Sequence, residues 1–177
     1  MMFVLNILER AINAFEKVAH IIINSLLIVM VISVLYGVFM RYILLSAVSW
    51  TEEAPMFMMV WAAFLAGSIG IRKGSHIGLN LFTNKLSKDH RIVITIISYV
   101  IIVLFLIVLM KEGYFIAIRG FRYQRSMGLG ISMGWALLAV PVGAFFMIIE
   151  SVYKIIKNAN ILLRKEEGDI NYFDRGV

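Results

Sequence analysis

Four long apolar runs constrain this chain more than any other feature. They cover about residues 18–40, 53–71, 92–110 and 132–150. Each is close to the roughly 20 residues that a helix needs to cross the ~30 Å hydrocarbon core of a bilayer. Runs of this length cannot be globular strands, and backbone polar groups inside lipid must be satisfied within the segment itself. Composition agrees: 61% of the 177 residues are hydrophobic and 16% are charged, against roughly 45–50% and about 25% in soluble domains. The fold class expected is therefore all-α and integral to the membrane: a single domain, 1–177, with four transmembrane helices. The first run spans about 23 residues with no basic run before it, so it reads as a retained helix, without the short core and small-residue cleavage site of a signal peptide.

The flanks have their own pattern. In 3–17, Phe3, Val4, Ile7, Leu8, Ala11, Ile12 and Phe15 share one face, while Asn6, Glu9, Arg10, Asn13, Glu16 and Lys17 share the other. This stripe is that of an amphipathic helix, expected to lie in the membrane interface or to form a packing collar on a partner. Residues 151–177 are expected to form a tail, part helix, that begins basic and becomes acidic.

Within the spans, small residues mark packing faces. Ala62, Ala66 and Gly70 recur at every fourth position, with Ala63 and Gly67 repeating the spacing one residue on. Small residues at this spacing let a second helix approach closely. Pro141, with Gly143 just beyond it, lies inside the fourth run. A proline there removes a backbone hydrogen bond and kinks the helix. Ser49 and Glu52 fit a capping box at the start of the second run. Glu52 and Glu53 are adjacent, so on a helix they point about 100° apart and do not share one catalytic or metal site. Acids in a first helical turn complement the helix dipole, and Arg41 is available across the loop. Arg41, Glu52 and Glu53 are thus expected to form a local charge cluster.

Charge sets orientation. Twelve of the seventeen Lys and Arg residues fall in the N-terminal segment, the 72–91 loop and the tail; five fall in the other two connections. By the positive-inside rule both termini face the cytoplasm. The net charge of +6 follows from that bias and needs no nucleic-acid partner. Arg119, Arg122 and Arg125 stand on the opposite, outer side among Phe115, Phe121 and Tyr123. They suit a membrane-interface segment with aromatic anchors, or a docking surface for an acidic partner. There is no Cys, which removes disulfide exchange and thiolate chemistry. A haem between helices needs facing His residues at depth, and of His20, His76 and His90 only His20 falls in a span, near its end. No catalytic residue, metal or cofactor is expected.

Read together, Arg41-Tyr42, Ser49-Trp50-Thr51-Glu52-Glu53, Trp61, and Arg72-Lys73-Gly74-Ser75-His76-Ile77-Gly78, followed by the Ser126–Gly130 turn, Trp135 and Pro141-Val142-Gly143, resemble the small permease subunit of TRAP transporters, the DctQ-like family. The resemblance covers about residues 20–155, with Arg41, Trp50, Glu52, Glu53, Arg72 and His76 on its motifs; Asn80 stands where many members carry Asp. It implies a bacterial inner-membrane protein, surrounded by lipid, that pairs as a heterodimer with a large permease subunit and serves a periplasmic substrate-binding protein. It also implies sodium-coupled transport of organic acids, typically sialic acids or C4-dicarboxylates. The centres of the four runs hold no Asp, Glu, Lys or Arg, which argues against an independent small carrier, since coupled carriers place ionisable groups at mid-membrane. The third alternative, a membrane anchor of a redox complex, would announce itself by haem absorbance.

The topology is directly testable because the chain has no Cys. A cysteine introduced at Ser87 should react with an impermeant maleimide only after the cells are permeabilised; labelling in intact cells would reverse the orientation.

Overall fold

A computed structural model describes residues 2–73 and 88–173. Its elements are α1 (Met2–Tyr42), α2 (Trp50–Lys73), α3 (Lys88–Tyr123), a single turn α4 (Gly134–Leu137) and α5 (Ala139–Phe173). Four helices are long and apolar enough to cross a membrane: Ile12–Tyr42, Trp50–Lys73, Ile92–Tyr123 and Gly134–Asn160. The chain is thus a multi-pass membrane protein. Among the described residues extended pairing is limited to one isolated bridge, Arg125 with Ser132.

The helices stand in a row. α1 packs on α2, α2 on α5, and α5 on α3. The two inner helices bury 39% and 33% of their most apolar stretches, the two outer ones 11% each. Whole apolar faces of α1 and α3 are consequently bare: Ile21, Ile28, Ile32 and Leu35 on one, Ile101, Leu104, Phe105 and Val108 on the other. In water this would be unstable, whereas lipid tails are as apolar as these side chains. The best-packed cluster joins Ile71 of α2, Tyr99 and Leu106 of α3, and Ala144 of α5.

Three features extend or alter what the sequence suggests. The 3–17 stripe and the first run form one continuous 41-residue helix. Its amphipathic part is seated on the bundle, with Ile12 and Ala19 buried and Phe15 stacked on Phe146 of α5 at 3.8 Å between ring centroids. α3 does not stop at Met110: it continues through Lys111 and Glu112 to Tyr123, 36 residues in all, or about 54 Å. The proline-associated irregularity lies upstream of Pro141. Leu138 separates α4 from α5, and Pro141 occupies the third position of α5, where a missing N–H costs little.

The small-residue stripe of α2 is divided. Ala62 is buried, Ala66 is exposed, and the space beside Gly70 is open. Gly67 abuts the Met147 side chain of α5. An approach to the α2 backbone uses a glycine on the other helix: a Cβ at Gly143 would stand 2.6 Å from Phe64 Cβ and 3.1 Å from the Phe64 carbonyl oxygen. Four serines within the apolar stretches are satisfied by their own helix. Ser33, Ser68, Ser98 and Ser151 each donate to a carbonyl three or four residues earlier, at 2.8–2.9 Å, as groups without access to water must.

This packing separates two glycines that look equivalent in sequence. Gly143→Ala should destabilise the purified protein by about 1–3 kcal/mol, the usual cost of overpacking. Gly70→Ala should be neutral or slightly stabilising, since alanine is the better helix former by up to about 1 kcal/mol. Thermal unfolding in one detergent reads both, and equal Tm values would refute the assignment of Gly143 to the contact.

Candidate functional site

The side chains capable of more than packing gather at the two ends of the row. At one end, α1 finishes on Arg41 and Tyr42, and the chain reverses through 43–49, where Leu45 takes a left-handed φ of 49°. Thr51 starts α2 by donating from Oγ1 to the Val48 carbonyl at 2.6 Å. Glu52 does not close a capping box with Ser49; its carboxylate pairs with the Arg41 guanidinium across the reversal. Trp50 stacks on Tyr36, with ring centroids 5.7 Å apart. Together these contacts close the α1–α2 hairpin.

Glu53 leaves the expected Arg41 cluster. It points to the connection between α3 and α4, where it accepts from the Ser126 hydroxyl and from three consecutive backbone amides: Met127 at 3.2 Å, Gly128 at 2.8 Å and Leu129 at 3.2 Å. The connection is a small built loop. Ser126 N–H donates to Ile131 at 2.9 Å, Gly130 N–H to Ser126 at 3.1 Å, and Met133 N–H to Gln124 at 3.1 Å. Gly130 supplies a φ of 69°. Ser132 Oγ donates to the Gly120 carbonyl at 2.9 Å, tying the loop to the end of α3. Below it, Trp61 Nε1 donates to the Trp135 carbonyl at 3.0 Å, and Trp135 meets Phe121 edge to face at 5.5 Å. Arg119, Arg122 and Arg125 are all exposed here, and Met127 at the loop tip is 99% exposed.

The opposite end carries a second polar cluster, which sequence reasoning missed. Arg72, in the last turn of α2, donates to Asn13 Oδ1 and lies 3.0 Å from Glu16 Oε2, both on α1. The second contact is Coulombic and not a directed hydrogen bond. Glu150 of α5 is 3% exposed, and its Oε2 accepts no hydrogen bond among the described residues; Arg72, Glu16 and Lys154 lie within its electrostatic reach. One arginine therefore answers acids from two other helices. The available signal was Asn13 and Glu16 sharing a helix face, with an acid ending an apolar run. His76 and Asn80, singled out in the sequence, lie outside the described residues.

The grooves between helices are open and mostly apolar. One of about 540 Å³, between α3 and α5, is walled by Met110, Lys111, Tyr114, Leu138, Pro141, Val142 and Phe145. Lys111 and Tyr114 are the polar-ended side chains of its lining and the rest is apolar, short of the several convergent polar groups that fix a small charged ligand. The arrangement suits holding helices together and presenting surfaces.

Comparison with known proteins bears on this reading. The family model described as tripartite ATP-independent periplasmic transporters, DctQ component, matches residues 30–160. The chain is 24% identical, over 90% of its length and 90% of the relative's, to the sialic acid TRAP transporter small permease protein SiaQ of Vibrio cholerae. It is 32% identical to a putative TRAP transporter small permease protein of Haemophilus influenzae, over 40% of this chain and 44% of that one.

The two ion pairs should differ in weight. Arg41 and Glu52 are half exposed, at 51% and 56%, whereas Arg72 and Glu16 are 18% and 22% exposed. Arg41→Ala should cost about 0–1 kcal/mol, as exposed pairs do. Arg72→Ala should cost on the order of 1.5–3 kcal/mol, since it removes a charged hydrogen bond and leaves acids uncompensated. Equal thermal shifts for the two variants would contradict the ranking.

Proposed function

This chain belongs to the DctQ component family of tripartite ATP-independent periplasmic transporters and is a small permease subunit; on that premise we propose that it braces the large subunit during sodium-coupled uptake of an organic acid and helps to dock the periplasmic binding protein. The substrate class proposed is sialic acid or C4-dicarboxylate, with sialic acid supported by the similarity to the sialic acid TRAP transporter small permease of Vibrio cholerae. The proposed setting is the bacterial inner membrane, with both termini in the cytoplasm. In that orientation Arg41, Glu53 and the 124–133 loop are periplasmic, and the Arg72 cluster is cytoplasmic.

The observation that carries the bracing role is where polarity resides. Ser33, Ser68, Ser98 and Ser151 in the apolar stretches bond to their own helices, and the ion pairs of Arg41 and Arg72 sit at opposite ends of α2. A coupled carrier needs ionisable groups or broken helices facing a central cavity; a brace needs firm ends and a smooth wall. The bare faces of α1 and α3 leave ample apolar surface for the large subunit and for lipid. Arg119, Arg122 and Arg125 support docking, because complementary charge speeds and orients encounters between proteins.

Reconstitution tests the proposal. Proteoliposomes holding this chain alone should take up neither labelled sialic acid nor a labelled C4-dicarboxylate under a sodium gradient. Adding the large subunit and the binding protein should restore uptake of one of them. Sodium-driven uptake by the lone chain would overturn the accessory role.

A further inference from the structure

Two independent contacts hold the 126–129 turn on the start of α2. The first is Glu53, whose carboxylate takes the Ser126 hydroxyl and the amides of Met127, Gly128 and Leu129. Consecutive amides converging on one point form an anion-binding concavity, and here the chain fills it with its own side chain. The second is steric. A Cβ at Gly128 would stand 2.7 Å from the Ser49 carbonyl carbon and 2.9 Å from the Trp50 nitrogen, so the turn lies backbone against backbone on the α2 N-terminus.

The turn carries the exposed tip of this end. Met127 is 99% and Tyr123 79% exposed, and Arg122 and Arg125 are exposed beside them. The nearby acids are engaged: Glu52 with Arg41, Glu53 with the turn. Glu112 stands two helical turns before Arg119 on α3. The tip is therefore cationic with an apolar point, which fits an acidic partner face with a shallow apolar pocket.

We propose that Glu53 is the positioning residue of this surface: by holding the 126–129 turn on α2, it sets where Arg122, Arg125 and Met127 meet an acidic face of the periplasmic binding protein. The proposal rests on the docking reading above. Glu53 itself touches neither partner nor substrate. Glutamine cannot replace it, because an amide offers one acceptor and turns an N–H₂ toward donors. Aspartate keeps the charge but is one methylene shorter.

The test uses the assembled complex of both membrane subunits, the large one freed of cysteines, and reads two quantities. The first is the mobility of a nitroxide on Met127→Cys, a unique label in this chain, measured without binding protein. Mobility should rise in Glu53→Gln and in Gly128→Ala, which releases the turn with the carboxylate intact, and less in Glu53→Asp. The second is the binding-protein concentration giving half-maximal uptake, measured with Met127 in place. It should rise several-fold in Glu53→Gln and Gly128→Ala, with the rate at saturating binding protein preserved. Combining Glu53→Gln with Arg122→Glu and Arg125→Glu should give less than the product of the separate effects, as changes to one surface do. A label as immobile in Glu53→Gln as in the parent overturns the positioning role, whatever transport does. Looser labels with an unchanged half-maximal concentration overturn the docking reading and leave the contact merely local. Loss of assembly in both variants assigns Glu53 to folding and also overturns the proposal.

Discussion

A peptide group in hydrocarbon has no water to bond, and nearly everything in this molecule follows from that. Each apolar run must close its own backbone hydrogen bonds and so becomes a helix. Its serines turn back to carbonyls of the preceding turn. The described ion pairs of the arginines lie at the two ends of α2. Between helices the hydrophobic effect gives little, because lipid offers side chains an equivalent environment. What remains is close contact, as where Gly143 admits Phe64, together with polar contacts at the two ends.

The elements were largely legible, and their partners were not. Run length and hydropathy locate four crossing helices because the bilayer imposes a minimum length. They do not report where a helix ends beyond the lipid, so the continuation of α3 to Tyr123 and the unbroken join at residue 18 of α1 needed coordinates. Arg41–Glu52 was accessible because a short reversal forces neighbouring helix ends together. Glu53 was not, since an acid in a first helical turn has the same local explanation whether it serves the dipole or an amide array more than seventy residues away. The Arg72–Glu16 pair and buried Glu150 were hidden for a similar reason. Periodicity shows that two residues share a face, and does not show which helix that face meets.

The small-residue stripe of α2 makes the same point from the other direction. Spacing identified Ala62, Ala66 and Gly70 as a face permitting close approach, and permission was taken up only in part. A helix contact needs one small side to receive one large side. In this pair Gly143 of α5 receives Phe64 of α2, and the α2 glycine at position 70 looks onto open space. Small residues on a span therefore nominate surfaces, and the partner's bulk selects among them.

Among the described residues the row of helices has polar ties at both ends, with mostly apolar contacts between. A bar pinned at both ends bows far less under a sideways load than one pinned at a single end. Arg72 fastens α2 to α1 at one end, and Glu53 fastens α2 to the α3–α4 connection at the other. α2 is therefore a strut pinned at both ends of a braced panel, its two ties resisting lateral displacement of the helices on either side.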